Sequence, residues 1–146
     1  MDDELDLDEI LLRGVQANRM AWDHAKRGVV PMLQNFKLRV GEAGLSVNRK
    51  GCIASHESIS QGGRFVCFLA ITMRRLVDLG LSAKIKEHDP TGADIVGLPA
   101  ADDSDAAADW AFALADAFVW DLPPNSELIE KIGTRFYSNN PTLSPP

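Results

Sequence analysis

Phe65-Val66-Cys67-Phe68-Leu69-Ala70-Ile71 is an unbroken apolar run set between Gly62-Gly63 and Thr72. It is short and β-rich, and it is closed at both ends by turn and cap residues. Those features suit a strand covered on both faces, so the run predicts the centre of a sheet. Thr72 then caps a short helix from Met73 to Leu79 in which Met73, Leu76 and Val77 share a face, and Gly80 supplies the left-handed stop. Ala83-Lys84-Ile85-Lys86 alternates as an exposed edge strand does, with lysines that discourage strand-to-strand aggregation. His88-Asp89-Pro90-Thr91-Gly92 has the chemistry of a turn, and Ala93 to Leu98 is expected to form one more strand.

Beyond Pro99 comes the clearest periodic element. From Asp103 or Ser104 as N-cap to about Trp120, the residues Trp110, Ala111, Leu114, Ala115 and Phe118 recur at helical spacing. Asp102, Asp105, Asp109 and Asp116 fall on the opposite side. Small alanines let such a helix approach a sheet closely, and burying Trp110, Leu114 and Phe118 contributes about 2 kcal/mol each by apolar transfer. Asn125-Ser126-Glu127 starts a second helix expected to end at Ile132-Gly133, followed by a tail.

Upstream, Asn35-Phe36-Lys37-Leu38-Arg39-Val40 and Leu45-Ser46-Val47-Asn48 alternate with period two across a Gly41-Glu42-Ala43-Gly44 link. They predict a β-hairpin that buries Phe36, Leu38, Val40, Leu45 and Val47 and shows Lys37 and Arg39 to water. Ile10-Leu11-Leu12-Arg13-Gly14-Val15 is too short for periodicity to separate strand from helix. The following stretch to Gly28 fits a helix or an excursion loop. Together these elements define an α+β class: a small, mostly antiparallel sheet with a long amphipathic helix from the C-terminal part packed on one face. The expected organisation is an acidic flexible segment over 1–8, a single domain over 9–121, and a short helix and disordered tail over 122–146.

The 146-residue length, 45% hydrophobic and 25% charged content are those of a globular chain able to bury a core without staples. No stretch approaches the eighteen or more apolar residues of a membrane span, and Asp2, Asp3 and Glu4 stand where a secretory signal is basic, so a cytoplasmic location is expected. Cys52 and Cys67 read as ordinary thiols, Cys67 as a small core residue. Net charge is −6, unevenly spread: residues 1–9 carry six acids and no base, 10–98 carry thirteen bases against seven acids, and 99–124 carry six acids and no base. A basic body between acidic segments suits solubility and association with other proteins.

Ser55-His56-Glu57-Ser58 is the densest group of reactive side chains and could supply a base with a carboxylate beside it, although consecutive residues point different ways and Ser55 looks more like the N-cap of a short helix with Ser58 in its first turn. The His88-Asp89 pair reads as turn material. Three histidines, two cysteines and no HExxH or CxxC spacing make no case for a metal. Gly41-Glu-Ala-Gly44 and Gly62-Gly63 lack the context of phosphate-binding loops, and there is no GxSxG elbow. Arg39, Arg49, Lys50, Arg64, Arg74 and Arg75 are candidates for a basic patch, but few aromatics interleave them, which disfavours nucleic acid as a partner.

Asp8-Glu9-Ile10-Leu11-Leu12-Arg13-Gly14-Val15, Asn35-Phe36-Lys37, Leu45-Ser46-Val47, Ala70-Ile71-Thr72, Leu79-Gly80-Leu81 and Ala93-Asp94-Ile95-Val96-Gly97-Leu98-Pro99 stand in an order that resembles a family of small bacterial proteins. The resemblance runs over about residues 8–118 and implies an α+β domain without an established activity. Lys37-Leu38 in place of that family's Arg-Pro, and Leu12 in place of its Tyr, depart from the pattern. The Arg13-Gly14 opening and the Leu-Ser-Val strand also resemble ADP-ribosyltransferase-like folds, in which an early arginine meets the dinucleotide and a later glutamate acts on the ribose. That resemblance nominates Arg13, His56 and Glu57 as catalytic residues of a small NAD-consuming enzyme. The leading expectation is instead a non-enzymatic bacterial interaction or accessory domain of a toxin, immunity or phage-defence neighbourhood. It would need no cofactor and would have another protein as its partner. Weak nucleic-acid binding through the basic body is the third alternative.

Overall fold

A computed structural model of the chain describes residues 5–100 and 104–145. The elements are β1 (Ile10–Gln16), β2 (Met20–Asp23), β3 (Gly28–Pro31), β4 (Leu45–Arg49), β5 (Phe65–Thr72), α1 (Met73–Asp78), β6 (Ser82–Lys86), β7 (Asp89–Val96), α2 (Ser104–Ala117), β8 (Val119–Leu122) and α3 (Ser126–Asn139). Six strands form one antiparallel sheet in the order β6-β7-β4-β1-β5-β8, and β2 and β3 form a separate hairpin. The class is therefore α+β with a mainly antiparallel sheet. No helix among the described residues is long and apolar enough to cross a membrane.

The Phe65–Ile71 run is a strand buried on both faces. Cys67, Leu69 and Ile71 join the larger core with Leu11, Val15, Leu45, Val47, Ala93 and Ile95, while Phe68 and Ala70 meet Leu12 on the reverse side. Its position is one place off the expected centre: β4 and β1 are the middle pair, and β5 lies between β1 and the edge strand β8. The short apolar run at Ile10–Val15 is the strand that takes the middle. Leu11 and Leu12 point to opposite faces and both are fully buried.

α2 lies on the larger core through Ala111, Leu114 and Phe118, with the Phe118 ring centred 5.4 Å from that of Phe36. Asp105, Asp109 and Asp116 are exposed, as the amphipathic pattern requires; Asp102 and Asp103 fall outside the described residues. The helix stops earlier than its periodicity suggests. Its last turn closes with Phe118 N–H on Leu114 O, and Val119-Trp120 pass into β8. Val and Trp favour extended backbone, and Pro123-Pro124 just beyond bar any longer helix.

Four further expectations change. Residues 35–40 are not a strand: Leu33–Phe36 form a 3₁₀ turn, and β4 pairs with β1 and β7 instead. Phe36, against Phe118, and Leu38 are buried in the core without a ladder, whereas Val40, assigned to the core by alternation, is 94% exposed. The stretch to Gly28 is neither helix nor irregular loop but the β2–β3 hairpin, with Trp22 opposite Val29. In α1, Thr72 Oγ1 accepts from Arg75 N as an N-cap and Gly80 takes φ +85°. Met73 and Leu76 are buried there while Val77 faces solvent.

α3 runs through Gly133 to Asn139. Trp22 explains it: an added Cβ on Gly133 would lie 3.0 Å from Trp22 Cζ3, so the glycine serves close packing and not termination. Trp22 Nε1 donates to Tyr137 Oη at 3.1 Å, and His24 Nδ1 lies 2.9 Å from the same hydroxyl. Leu128 and Ile132 reach the main core, which makes the segment after 122 part of the folded unit over most of its length. At the other end, Arg74 N–H bonds Leu7 O and Met73 N–H bonds Glu9 O, tying residues 7–9 to the start of α1.

Candidate functional site

The two middle strands separate. β1 and β4 share only the pairs Leu11↔Arg49 and Leu12↔Asn48. Past that point β1 stays paired with β5 as far as Gln16↔Phe65, and β4 stays paired with β7 as far as Leu45↔Ile95. A fork therefore opens in the middle of the sheet, and Arg13 is the first residue of β1 beyond it. Its Nη1 donates to Ser46 O on β4 at 2.7 Å and its Nε to Asn35 O at 3.0 Å. The guanidinium thus satisfies backbone acceptors where the ladder has ended.

Asn35 O is itself held in place. The Asn35 side chain is buried, and its Nδ2 donates to Arg19 O at 2.9 Å and Met32 O at 2.8 Å, closing the turn that carries it. Arg13 has five N–H donors and spends two on carbonyls, which leaves three for a ligand in a fixed frame. It takes part in no ion pair among the described residues. Burial pushes its pKa down to about 10; the negative charge of Glu42 opposes that shift and the positive charge of Arg39 adds to it. At neutral pH it stays a cation.

Around this anchor lies a polar cavity of about 190 Å³. Arg19 enters from the turn after β1. Arg39 and Glu42 come from the loop before β4, where Glu42 Oε1 accepts from Arg39 N at 2.6 Å and Gly41 takes φ +88°. Arg64 comes from the loop before β5. Its Nη1 donates to Gln61 Oε1 at 3.1 Å and its guanidinium carbon stands 5.5 Å from the centre of the Phe65 ring. With the Gln16 amide turned so that its oxygen faces Arg64, that oxygen accepts from Nε at 3.3 Å and Nη2 at 3.2 Å. Gln61, Gly62 and Gly63 are three successive left-handed residues, and for Gln61, at φ +53°, the conformation costs energy that glycine would not incur. Four arginines and one glutamate line the space.

The three residues nominated from sequence do not meet in this cleft. Arg13 lines it; His56 and Glu57 do not. His56 Nε2 lies 2.6 Å from Asp121 Oδ2, with its ring 5.2 Å from Phe68, and Lys50 Nζ holds the other oxygen of Asp121 at 2.6 Å. Burial raises the Asp121 pKa, but the hydrogen bonds and charges of Lys50 and His56 outweigh it and the net shift is downward. The trio fastens the 50–64 segment to β8. Glu57 is exposed, and its carboxylate has no hydrogen bond or ion pair among the described residues. Ser55 and Ser58 cap each other around the 3₁₀ turn Glu57–Ile59.

The basic patch expected from sequence is dispersed. Arg49 pairs with Glu9, Lys50 with Asp121 and Arg74 with Asp8, Arg75 lies on α1, and Arg39 and Arg64 line the cleft. Arg19 was absent from that patch, and the signal that could have found it is weak: a lone arginine between two short apolar segments. Cys52 and Cys67 are free thiols, exposed and buried respectively. Among the described residues no group of three or more His, Cys, Asp and Glu side chains could hold a metal ion. No family model, curated protein or solved structure matches the chain.

Proposed function

We propose that the chain is a non-enzymatic interaction domain whose forked cleft receives an anionic group presented by a partner protein. The carrying observation is Arg13, locked by two backbone carbonyls without a carboxylate partner, at the base of a cavity that three further arginines and only one glutamate line. A partly desolvated guanidinium that bonds only neutral acceptors gains from an anion, and charge-assisted bonds to a fixed frame are the strong ones. The basic middle of the sequence supplies the field that draws such a partner in.

The NAD-consuming alternative draws less support. His56 is engaged by Asp121, Glu57 stands in solvent, and about 190 Å³ is below the roughly 300–1,000 Å³ usual for sites that enclose a cofactor. Nucleic-acid binding loses three of the six nominated cations to ion pairs.

Fluorescence anisotropy of a labelled oligoglutamate peptide, with a single-stranded oligonucleotide alongside, tests the reading. Expected is peptide binding that weakens as salt rises and that Arg39→Gln with Arg64→Gln abolishes. Absence of binding by any anion at low salt overturns it, and oligonucleotide binding alone transfers the cleft to the nucleic-acid alternative.

A further inference from the structure

We infer that the group the cleft is built for is a single phosphoryl group, a tetrahedral dianion, and not a carboxylate. The inference rests on the cleft being an anion site and specifies which anion.

Charge comes first. Arg13, Arg19, Arg39 and Arg64 face Glu42 alone, an excess of three positive charges around about 190 Å³. A carboxylate brings one negative charge to that space. A phosphate monoester brings close to two at neutral pH and three terminal oxygens, each a strong acceptor.

Direction comes second. The four lining arginines belong to four separate segments: β1, the turn at 17–19, the loop at 37–44 and the loop at 61–64. A planar carboxylate is satisfied by one guanidinium fork. Donors arriving from several sides match an acceptor whose oxygens point to several corners. Arg13 supplies the floor, with its orientation fixed by Ser46 O and Asn35 O, so little ordering remains to be done when the ligand arrives.

Size comes third. A volume of about 190 Å³ holds one tetrahedral group and is below the roughly 300–1,000 Å³ usual for sites that enclose a whole nucleotide. The occupant is therefore inorganic phosphate or a phosphoryl group whose carrier lies outside the cavity, and on the partner-protein reading that carrier is a phosphorylated side chain.

The test is isothermal titration of the full chain with inorganic phosphate, O-phosphoserine and glutamate at one ionic strength. Phosphate and phosphoserine are expected to bind at least about tenfold more tightly than glutamate, the order of one charge-assisted hydrogen bond. Arg39→Gln and Arg64→Gln, both at exposed positions that leave the fold intact, each weaken phosphate by about tenfold, and Glu42→Gln tightens it. Phosphoserine ahead of phosphate identifies a phosphorylated side chain as the source; the reverse order identifies the free ion. Glutamate binding as tight as phosphate binding overturns this inference and leaves the anion cleft standing. Phosphate binding that ignores Arg39→Gln and Arg64→Gln also overturns it, and no binding by phosphate, phosphoserine or glutamate removes both readings.

Discussion

Substituting Gly14 by alanine probes the packing that shapes the cleft. Gly14 faces the Phe65 ring, and a Cβ built there falls on it: Cδ2 would be 2.6 Å away and Cδ1 2.9 Å, with Cγ nearer still. Carbon atoms sit comfortably at about 3.5–4.0 Å, so the ring has to retreat by roughly 1 Å. Gly14 lies in a regular strand register opposite Phe68, without positive φ, so the backbone accepts alanine and the whole cost is steric. Overpacking of this kind costs about 1–3 kcal/mol, and the stiffer unfolded chain returns about 0.4–1 kcal/mol. The net expectation is destabilisation of about 1–2 kcal/mol, or a fall in Tm of about 3–6 °C for a chain of this length. Circular-dichroism melts measure it, and a double-mutant cycle with Phe65→Ala assigns it: the penalty should vanish once the ring is gone. Because Arg64 stands over the same ring, anion affinity should fall with it. A Gly14→Ala protein as stable as its parent with Phe65 in place refutes the packing.

Leu114→Ala removes a side chain with no exposed surface at the centre of the α2 contact and should cost about 2–5 kcal/mol in denaturant unfolding. Burial pushes the Cys67 thiol up to about 12, while Cys52 is exposed. Iodoacetamide at neutral pH should therefore label Cys52 alone in the folded protein and both thiols after denaturation, as intact mass reads directly. The lowered Asp121 pKa means that its contribution to stability is present above the unfolded carboxyl value, about 3.9, and is lost as pH falls through the lower folded value. Asp121→Asn should thus lose less stability than the parent when urea midpoints at pH 6 and pH 3 are compared; equal losses count against the Lys50–Asp121–His56 arrangement.

Local signals were readable wherever the contact they report is local. The apolar run at Phe65–Ile71, the Thr72 cap and Gly80 stop, the lysine-bearing edge at Ser82–Lys86 and the α2 stripe each carry their meaning within a few residues. Misreadings arise where a distant partner decides. Alternation at Phe36 and Leu38 looks like a strand, but Phe36 is buried against Phe118 at the end of α2, some eighty residues away, and a 3₁₀ turn satisfies that demand as well as a ladder would. Gly133 looks like a helix stop, and only Trp22, more than a hundred residues earlier, shows that a side chain would collide there.

The cleft belongs to the second kind. Arg13 is nominated by its resemblance to the early arginine of ADP-ribosyltransferase-like folds, yet its surroundings follow from β1 and β4 parting after two pairs, which no periodicity encodes. Both strands keep their outer partners, so the fork costs ladder bonds in the middle of a sheet, and the chain compensates with one guanidinium donating to two carbonyls. A hydrophobic residue at position 13 would fill the gap but leave those acceptors without donors, at about 1–3 kcal/mol each where they are buried. Structural need alone therefore accounts for an arginine at position 13. It does not account for Arg19, Arg39 and Arg64 converging on the same space, since no ion pair among the described residues uses them and like charges gathered there repel. That excess of positive charge over the single Glu42 is what a bound anion would relieve, and it is the ground on which we propose a binding cleft and not merely a mended sheet.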